Sequence, residues 1–236
     1  MSERLYFRQL LAGRDFARDD DVARSMANFV YVIGDRETGE ALLVDPAYRP
    51  LELARVLAED DLTLVGVVAT HYHVDHVGGS FQGHAVDGVA ALLEAHDVPV
   101  HVARDEVPWV TRATGVDDSH LVAHDSGDRV RVGEVEVTLV HTPGHTPGSQ
   151  CLLVEGHLVS GDTLFLEGCG RTDLPGGDVD ALYDSLTRRL ADLPGDTVLY
   201  PGHHYASEPF ADLARVRTTN PALAPRSAAQ WRAAFA

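Results

Sequence analysis

The chain alternates short apolar segments with stretches whose apolar residues recur every three or four positions. Short apolar runs between turn residues predict strands, and a period near 3.6 predicts helices. The predicted strands cover residues 29–33, 41–44, 62–69, 98–102, 135–140, 151–154, 158–159 and 197–200. The predicted helices cover residues 51–59, 86–95 and 178–190, and a short tail is predicted to be helical from residue 209.

Strands and helices interleave in both halves of the chain, without a Pro/Gly/Ser-rich linker between them. Turn-forming residues 34–39 join the first two strands, which therefore predicts a hairpin. This alternation predicts an α/β fold and a single domain over residues 1–236.

The charge of the chain excludes several classes of partner. Its 236 residues carry a formal net charge of −17, and all 19 basic residues are arginine. A surface this acidic repels nucleic-acid phosphates and anionic lipid, so neither is expected as a partner. No run of about 18 apolar residues occurs, the first ten residues hold no apolar stretch of the kind a signal peptide needs, and Cys151 and Cys169 allow at most one disulfide. We therefore expect a cytoplasmic protein.

Four metal-ligand side chains directly follow the predicted strand at residues 62–69. They are His71, His73, Asp75 and His76. Residues two apart in extended chain point the same way, so His71 and His73 can bind one ion. If the chain then turns into a helix, Asp75 and His76 face another side and can serve a neighbouring ion. This spacing is better explained by metal binding than by packing.

Three later strand ends present single ligand side chains. His145 follows residues 135–140 in a loop with two Pro-Gly pairs, Asp162 follows residues 158–159, and His203 follows residues 197–200. Loops at strand ends commonly carry the sites of α/β proteins. A lone histidine usually lies on the surface or in the core, and we assign eight to that class: His84, His96, His101, His120, His124, His141, His157 and His204. No residue between positions 81 and 128 is predicted to be functional.

Residues 71–76 resemble the HxHxDH signature of the metallo-β-lactamase-fold superfamily, and the three later residues match its further motifs in order. The resemblance covers residues 28–205 and implies a four-layer αββα sandwich of two mixed sheets flanked by helices. It implies one metal site of His71, His73 and His145, a second of Asp75, His76 and His203, and Asp162 bridging both. Asp45 matches an early aspartate that supports a ligand histidine, although an aspartate before Pro46 can equally be a turn residue.

The superfamily chemistry implies two divalent ions, zinc, iron or manganese, and a metal-bridging hydroxide as nucleophile. Asp75 and Asp162 are then expected to be catalytic as well as ligands. Residues 161–173, which include Gly-Asp-Thr-Leu and Gly-Cys-Gly-Arg, are similar to the glyoxalase II (hydroxyacylglutathione hydrolase) branch and to its relatives the persulfide dioxygenases. Arg171 is a candidate for binding a substrate carboxylate, or for pairing within its loop.

The leading hypothesis is a metallohydrolase that cleaves the thioester of a small acyl thiol. Only 33 residues follow His203, too few for the C-terminal helical domain of glyoxalase II, so glutathione is not implied as the thiol carrier. The alternative is a persulfide dioxygenase with one Fe(II) held by His71, His145 and Asp162. A lactonase, a β-lactamase and a non-enzymatic metal-binding protein are further alternatives, and a homo-oligomer is possible with each.

Overall fold

Two six-stranded mixed sheets form the centre of the fold in the computed structural model, which describes residues 2–81, 83–224 and 227–235. The strands are β1 (Leu5–Leu11), β2 (Phe29–Asp35), β3 (Glu40–Val44), β4 (Thr63–Val68), β5 (Gly79–Phe81), β6 (His84–Val86), β7 (Val100–Ala103), β8 (Leu121–His124), β9 (Arg129–Val132), β10 (Val135–His141), β11 (Gln150–Val154), β12 (His157–Gly161), β13 (Val198–Pro201) and β14 (Ala211–Asp212). The helices are α1 (Asp21–Met26), α2 (Pro50–Glu59), α3 (Val74–Val77), α4 (Val89–Leu93), α5 (Val107–Thr114), α6 (Val179–Asp184), α7 (Leu213–Thr219) and α8 (Ala228–Phe235).

The first sheet has the strand order β1-β2-β3-β4-β7-β8, and the second has the order β14-β13-β12-β11-β10-β9. In the first sheet, β1, β2 and β3 pair antiparallel, while β3, β4, β7 and β8 pair parallel. In the second sheet only β12 and β13 pair parallel. A separate hairpin joins β5 to β6.

The sheets pack face to face, and helices cover both outer faces. Every residue of β2 is buried, because Phe29, Tyr31 and Ile33 face the second sheet while Val30 and Val32 face the helices. Burial on both faces explains the continuous apolar run of this strand. Helices α1, α2, α4 and α5 pack on the first sheet, and α6, α7 and α8 pack on the second. The predicted αββα sandwich of two mixed sheets is confirmed.

Most of the predicted strands and helix α2 lie within two residues of their expected bounds. Strands β1, β8, β9 and β14 were not predicted from the sequence, and neither was the β5–β6 hairpin. In β1 only Leu5 and Leu10 are buried, and the strand is held by its full-length pairing with β2. An edge strand of this kind, without a regular apolar alternation, depends on its partner rather than on its own pattern.

Three helix predictions were wrong in extent. The helix predicted over residues 86–95 is confined to α4, because Val86 ends the β5–β6 hairpin. The helix predicted over residues 178–190 ends as an α-helix at Asp184 and continues as a π-helical turn over Ser185–Arg189. The tail begins with strand β14 before α7, and its residues Pro225 and Arg226 lie outside the described residues. The single domain over residues 1–236 stays a prediction.

Within the described parts of the chain, every helix is too short or too polar to cross a membrane.

A half-buried histidine pair in the first sheet makes stability depend on pH. His101 Nδ1 lies 2.9 Å from His124 Nε2, and burial together with His124 lowers the pKa of His101 from 6.5 to about 4. Below pH 6.5 the unfolded chain therefore binds more protons at this position than the native chain, so this contribution to stability is lost as the pH falls toward 4. We expect His101→Gln to reduce the loss of unfolding free energy between pH 7 and pH 5 by up to about 2 kcal/mol.

Urea titrations at both pH values measure this difference, with the exposed His84→Gln as the matched control. An equal pH dependence in wild type and His101→Gln would contradict the prediction.

Candidate metal centre

The predicted ligands converge where strands of both sheets end. His71 and His73 follow β4 in extended chain, and the chain then turns at Val74 into the single-turn helix α3, which carries Asp75 and His76. His145 follows β10, Asp162 follows β12, and His203 follows β13. The loops of the two facing sheets therefore supply one shared cluster.

Two groups of three ligand side chains lie within this cluster, and in each group the ligand atoms lie within 4.8 Å of one another. The first group is His71, His73 and His145, in which His145 Nε2 lies 3.0 Å from His73 Nδ1. The second is Asp75, His76 and His203, in which the Nε2 atoms of the two histidines are 3.2 Å apart. These are the two sets that the resemblance implied.

Asp162 lies between the two groups. Its Oδ2 atom is 3.7 Å from His145 Nε2 in the first group and 3.3 Å from His203 Nε2 in the second. Its Oδ1 atom is 3.4 Å from His76 Nε2. One carboxylate therefore reaches both groups, as a bridging ligand must.

Hydrogen bonds orient four of the five histidine rings through Nδ1. His145 Nδ1 donates to the carbonyl of Arg171 at 2.7 Å, and His203 Nδ1 donates to the carbonyl of Met26 at 2.8 Å. His76 Nδ1 lies 2.9 Å from Asp45 Oδ2. His71 Nδ1 lies 3.0 Å from the Thr70 hydroxyl, which itself donates to Asp45. A ring that donates through Nδ1 presents the lone pair of Nε2, the form that binds a metal.

Two candidate ligand atoms of the cluster are buried without a hydrogen-bond partner: His71 Nε2 and Asp162 Oδ1. Unpaired buried polar atoms are costly and are rare in native proteins. Imidazole nitrogens and carboxylate oxygens are ligands that zinc and iron accept. The residues present therefore fit divalent metal ions.

The electrostatics of the two groups differ. Burial lowers the pKa of His71 well below its usual value and lowers that of His73 to about 4, so both rings are neutral. Burial also acts on His76, but Asp75 and Asp162 outweigh it and raise the pKa of His76 to about 10. Burial opposes ionisation of Asp162, yet His203 and His76 hold its pKa well below the usual value. Metal binding must displace a proton from His76, so affinity falls with falling pH.

Asp45 supports the cluster from behind. Its Oδ1 accepts the Thr70 amide at 2.7 Å, and its Oδ2 accepts the Thr70 hydroxyl at 2.6 Å and faces His76 Nδ1. Although Asp45 lies within ligand distance of His71 and His76, these contacts already use both of its oxygens. Its backbone φ of +54° is left-handed, a conformation that aspartate tolerates better than most residues. Position 45 thus combines a left-handed backbone conformation with a hydrogen bond to a candidate ligand.

Asp45→Asn should lower metal affinity about 10–100-fold, the usual cost of losing a partner of a ligand histidine. The new amide would present a donor to His76 Nδ1, so the ring would have to reverse its tautomer and lose the Nε2 lone pair. Asparagine tolerates the same backbone conformation, which limits other effects. Competition with a chelator measures the affinity, and the exposed Asp192→Asn removes the same charge as a control. Equal affinities in both variants would contradict the prediction.

Asn28 contacts the second group and Tyr48 supports Asn28, and neither was predicted as a functional residue. The buried Asn28 donates through Nδ2 to Asp75 Oδ2 at 3.1 Å, and its Nδ2 lies 3.3 Å from His76 Nε2. The Tyr48 hydroxyl donates to Asn28 Oδ1 at 3.1 Å. The only sequence signal was a polar residue directly before the apolar run of β2. A partner 47 positions away cannot be inferred from that.

Two glycines allow the loops to approach the cluster closely. A Cβ atom at Gly202 would overlap Asp162 Oδ1, and one at Gly170 would come within 2.8 Å of the His145 ring. Gly170 belongs to the Gly-Cys-Gly-Arg segment noted in the sequence. That segment therefore packs against a candidate ligand through its glycine and through the Arg171 carbonyl.

The Arg171 side chain lies apart from the ligand groups. Its guanidinium pairs with Asp173 through two contacts of 2.6 Å, and the side chain is 63% exposed. Both residues line a cavity of about 310 Å³ that Leu182 and Phe235 also border. Pairing within the loop is thus observed, while binding of a substrate carboxylate stays a prediction that requires the guanidinium to leave Asp173.

The cysteines and the remaining histidines lie outside the ligand groups found among residues 2–81, 83–224 and 227–235. Burial raises the pKa of the Cys169 thiol to about 12 and that of Cys151 to about 11. Neither thiol is therefore ionised near neutral pH, which a cysteine nucleophile requires. Both cysteines are free.

Two curated proteins and one solved structure show what the chain is similar to. The human mitochondrial persulfide dioxygenase ETHE1 is 34% identical over 199 residues, which cover 83% of this chain and 71% of that protein. Hydroxyacylglutathione hydrolase from Polaromonas sp. is 40% identical over 182 residues, 75% of this chain but only 62% of that protein. The crystal structure of TTHA1623 in a di-iron-bound form superposes with a TM-score of 0.65 at 31% identity, covering 83% of this chain and 95% of that one.

The sequence profile of the metallo-beta-lactamase superfamily matches residues 25–203, a range that contains every predicted ligand. The double-sheet fold and the two His/Asp groups agree with this match. The chain therefore belongs to the metallo-beta-lactamase superfamily, whose fold binds zinc or iron through groups of this kind.

Proposed function

We propose that this protein is a metal-dependent hydrolase that cleaves the thioester of a small-molecule acyl thiol. The observation that carries the proposal is Asp162, whose carboxylate reaches both ligand groups, at 3.7 Å from His145 and 3.3 Å from His203. A shared carboxylate is the arrangement that holds two ions close together, and paired ions suit hydrolysis. The Polaromonas hydroxyacylglutathione hydrolase supports this choice of chemistry.

His71, His73 and His145 would hold one ion, Asp75, His76 and His203 the other, and Asp162 both. When bound, two such ions supply Lewis-acid polarisation of the thioester carbonyl and lower the pKa of a bound water.

The chain's own residues orient the candidate ligands and keep Asp162 charged. The Nδ1 hydrogen bonds of His145 and His203 orient the two rings, and His203 and His76 lower the pKa of Asp162 in spite of burial and keep that carboxylate ionised. Asn28 donates to Asp75 and holds the carboxylate of this second catalytic candidate in place. No protein nucleophile is needed, which agrees with the protonated state of both cysteines.

Aromatic side chains border the second group. The Tyr205 ring stacks on His203 with a centroid distance of 4.6 Å and remains 53% exposed, and Phe165 contacts both rings. An exposed aromatic surface beside the ligands suits the apolar part of an acyl thiol. The acidic net charge argues against nucleic acid and anionic membrane as alternative partners.

The test is release of free thiol from a panel of acyl-thiol esters that differ in acyl group and in thiol carrier. Protein loaded with zinc, iron or manganese should release thiol faster than the same protein after chelation. Asp162→Asn, loaded in parallel, serves as the inactive control. If loaded and chelated protein hydrolyse every ester equally slowly, the proposal is rejected.

A mononuclear-iron persulfide dioxygenase is the second candidate, because human ETHE1, a persulfide dioxygenase, is 34% identical over 83% of this chain. The chain covers 71% of human ETHE1 but 62% of the Polaromonas hydrolase. His71, His145 and Asp162 would then hold one Fe(II) as a two-histidine, one-carboxylate set. Oxygen uptake with a thiol persulfide would support this candidate, and one iron per chain together with no uptake would eliminate it. Nitrocefin hydrolysis tests the β-lactamase alternative.

A further inference from the structure

Glu106 is a buried carboxylate that joins two of the ligand loops. It lies at the end of the 3₁₀ turn Arg104–Glu106, directly before α5, and its side chain is fully buried. Its Oε1 accepts the Tyr72 amide at 2.7 Å, and its Oε2 accepts the Gly148 amide at 2.6 Å. One side chain therefore bonds to the backbone of two segments that are far apart in the sequence.

Both bonded amides lie next to ligands of the first group. Tyr72 stands between His71 and His73, and Gly148 lies three positions after His145. The two segments meet where His73 Nδ1 lies 3.0 Å from His145 Nε2. The bonds of Glu106 thus restrain the distance across which these histidines face each other.

The glycine at position 148 gives an independent reason to assign this role to Glu106. A Cβ atom there would overlap the Glu106 backbone nitrogen and lie 2.6 Å from its Oε2. Only a residue without a side chain lets the loop reach the carboxylate. This contact accounts for the glycine of the second Pro-Gly pair in the His145 loop.

A carboxylate in this position is costly to retain. Among the described residues no cation pairs with Glu106, and burial raises its pKa to about 7 in spite of hydrogen bonds from the Thr146 side chain and the two amides. Burial of an unpaired carboxylate destabilises a protein unless hydrogen bonds compensate for the lost water. Both oxygens are directed at backbone amides of the ligand loops, which indicates a positioning task.

We propose that Glu106 is a positioning residue that sets the spacing between His71–His73 and His145 and thereby supports the first metal group selectively. Its bonds do not reach the second group, which Asp45 and Asn28 support instead. The inference rests on metal binding at the site of the proposed function and not on its substrate.

The test measures metal affinity by competition with a chelator, and folding is checked by circular dichroism. In Glu106→Gln, one carboxylate oxygen becomes an amide donor that faces a backbone N–H, so at least one of the two bonds is lost. We expect its first-group affinity to fall about 10–100-fold. Asp105→Asn is the control, because it removes the same charge from a neighbouring side chain that is 65% exposed.

Two single variants, each of which disrupts one ligand group, serve as backgrounds for Glu106→Gln. They separate a positioning role from a general structural effect. His203→Ala retains the first group, so adding Glu106→Gln should weaken metal binding about 10–100-fold, the same loss that we expect for Glu106→Gln alone. In His145→Ala, which disrupts that group, the same change should alter affinity less than about threefold. Equal weakening in both backgrounds, or none in His203→Ala, would overturn the proposal.

If either background binds no ion, amide hydrogen exchange in the otherwise wild-type chain decides the question. Exchange at Tyr72 or Gly148 should accelerate in Glu106→Gln together with the loss of metal affinity, and unchanged exchange at both would reject the proposal. Because every readout is affinity or exchange, a protein that passes this test and cleaves no thioester disproves only the proposed function.

Discussion

Asp162→Asn should reduce divalent-metal affinity more than about 100-fold and remove activity with it. Losing a hydrogen-bond partner of a ligand already lowers metal affinity about 10–100-fold. Asp162 faces both ligand groups directly, so its loss should have a larger effect. Asparagine preserves the shape of the side chain but removes the negative charge that two cations need between them. Its amide nitrogen would also face imidazole nitrogens that must bind the metal.

Elemental analysis after dialysis against a weak chelator measures this effect, and the exposed Asp192→Asn is the charge-matched control. We expect fewer than two ions per chain in Asp162→Asn, and a wild-type content in the control. Full occupancy of both groups in Asp162→Asn would show that its carboxylate does not bridge the two groups.

Removal of the metal should lower the thermal midpoint of unfolding by about 10 °C. An ion present at 1,000 times its dissociation constant stabilises the native state by about 4 kcal/mol, and each kcal/mol shifts the midpoint by roughly 2–4 °C in a chain of this size. The physical basis is the pair of buried ligand atoms without hydrogen-bond partners, His71 Nε2 and Asp162 Oδ1, which a bound ion would satisfy.

Calorimetry before and after chelation gives the shift, and re-addition of zinc or iron should reverse it. His145→Ala provides the matched comparison, because its first group is incomplete and its midpoint should respond less to chelation. The response should also weaken at lower pH, since protons compete for His76, whose pKa is raised to about 10 by Asp75 and Asp162 against the effect of burial. Identical midpoints with and without metal would contradict the prediction.

The positions of the ligands could be predicted because each is encoded locally. His71 and His73 share one side of an extended segment, and the turn into α3 gives Asp75 and His76 another direction. His145, Asp162 and His203 each follow an apolar strand. Strand periodicity and strand ends are properties of a few neighbouring residues, so the sequence displays them directly.

The residues that support the ligands could not be predicted in the same way. Glu106 lies in the region between positions 81 and 128, where no functional residue was expected, and it contacts amides 34 and 42 positions away. A lone buried glutamate leaves no periodic signal, and its partners are backbone amides that every residue except proline offers. Asn28 was missed for the same reason.

The pattern along the sequence determined the α/β class and the identity and order of the seven candidate ligands, and the resemblance carried by those ligands implied the αββα sandwich. Only the tertiary structure decided that Asp162 lies between the two groups, that Asp45 faces His76, and that Arg171 pairs with Asp173. The physical reason is the sequence distance over which each kind of interaction acts. Backbone periodicity and turn chemistry act over a few residues, whereas the hydrogen bond from His203 to Met26 spans 177 positions and exists only once the two sheets have packed.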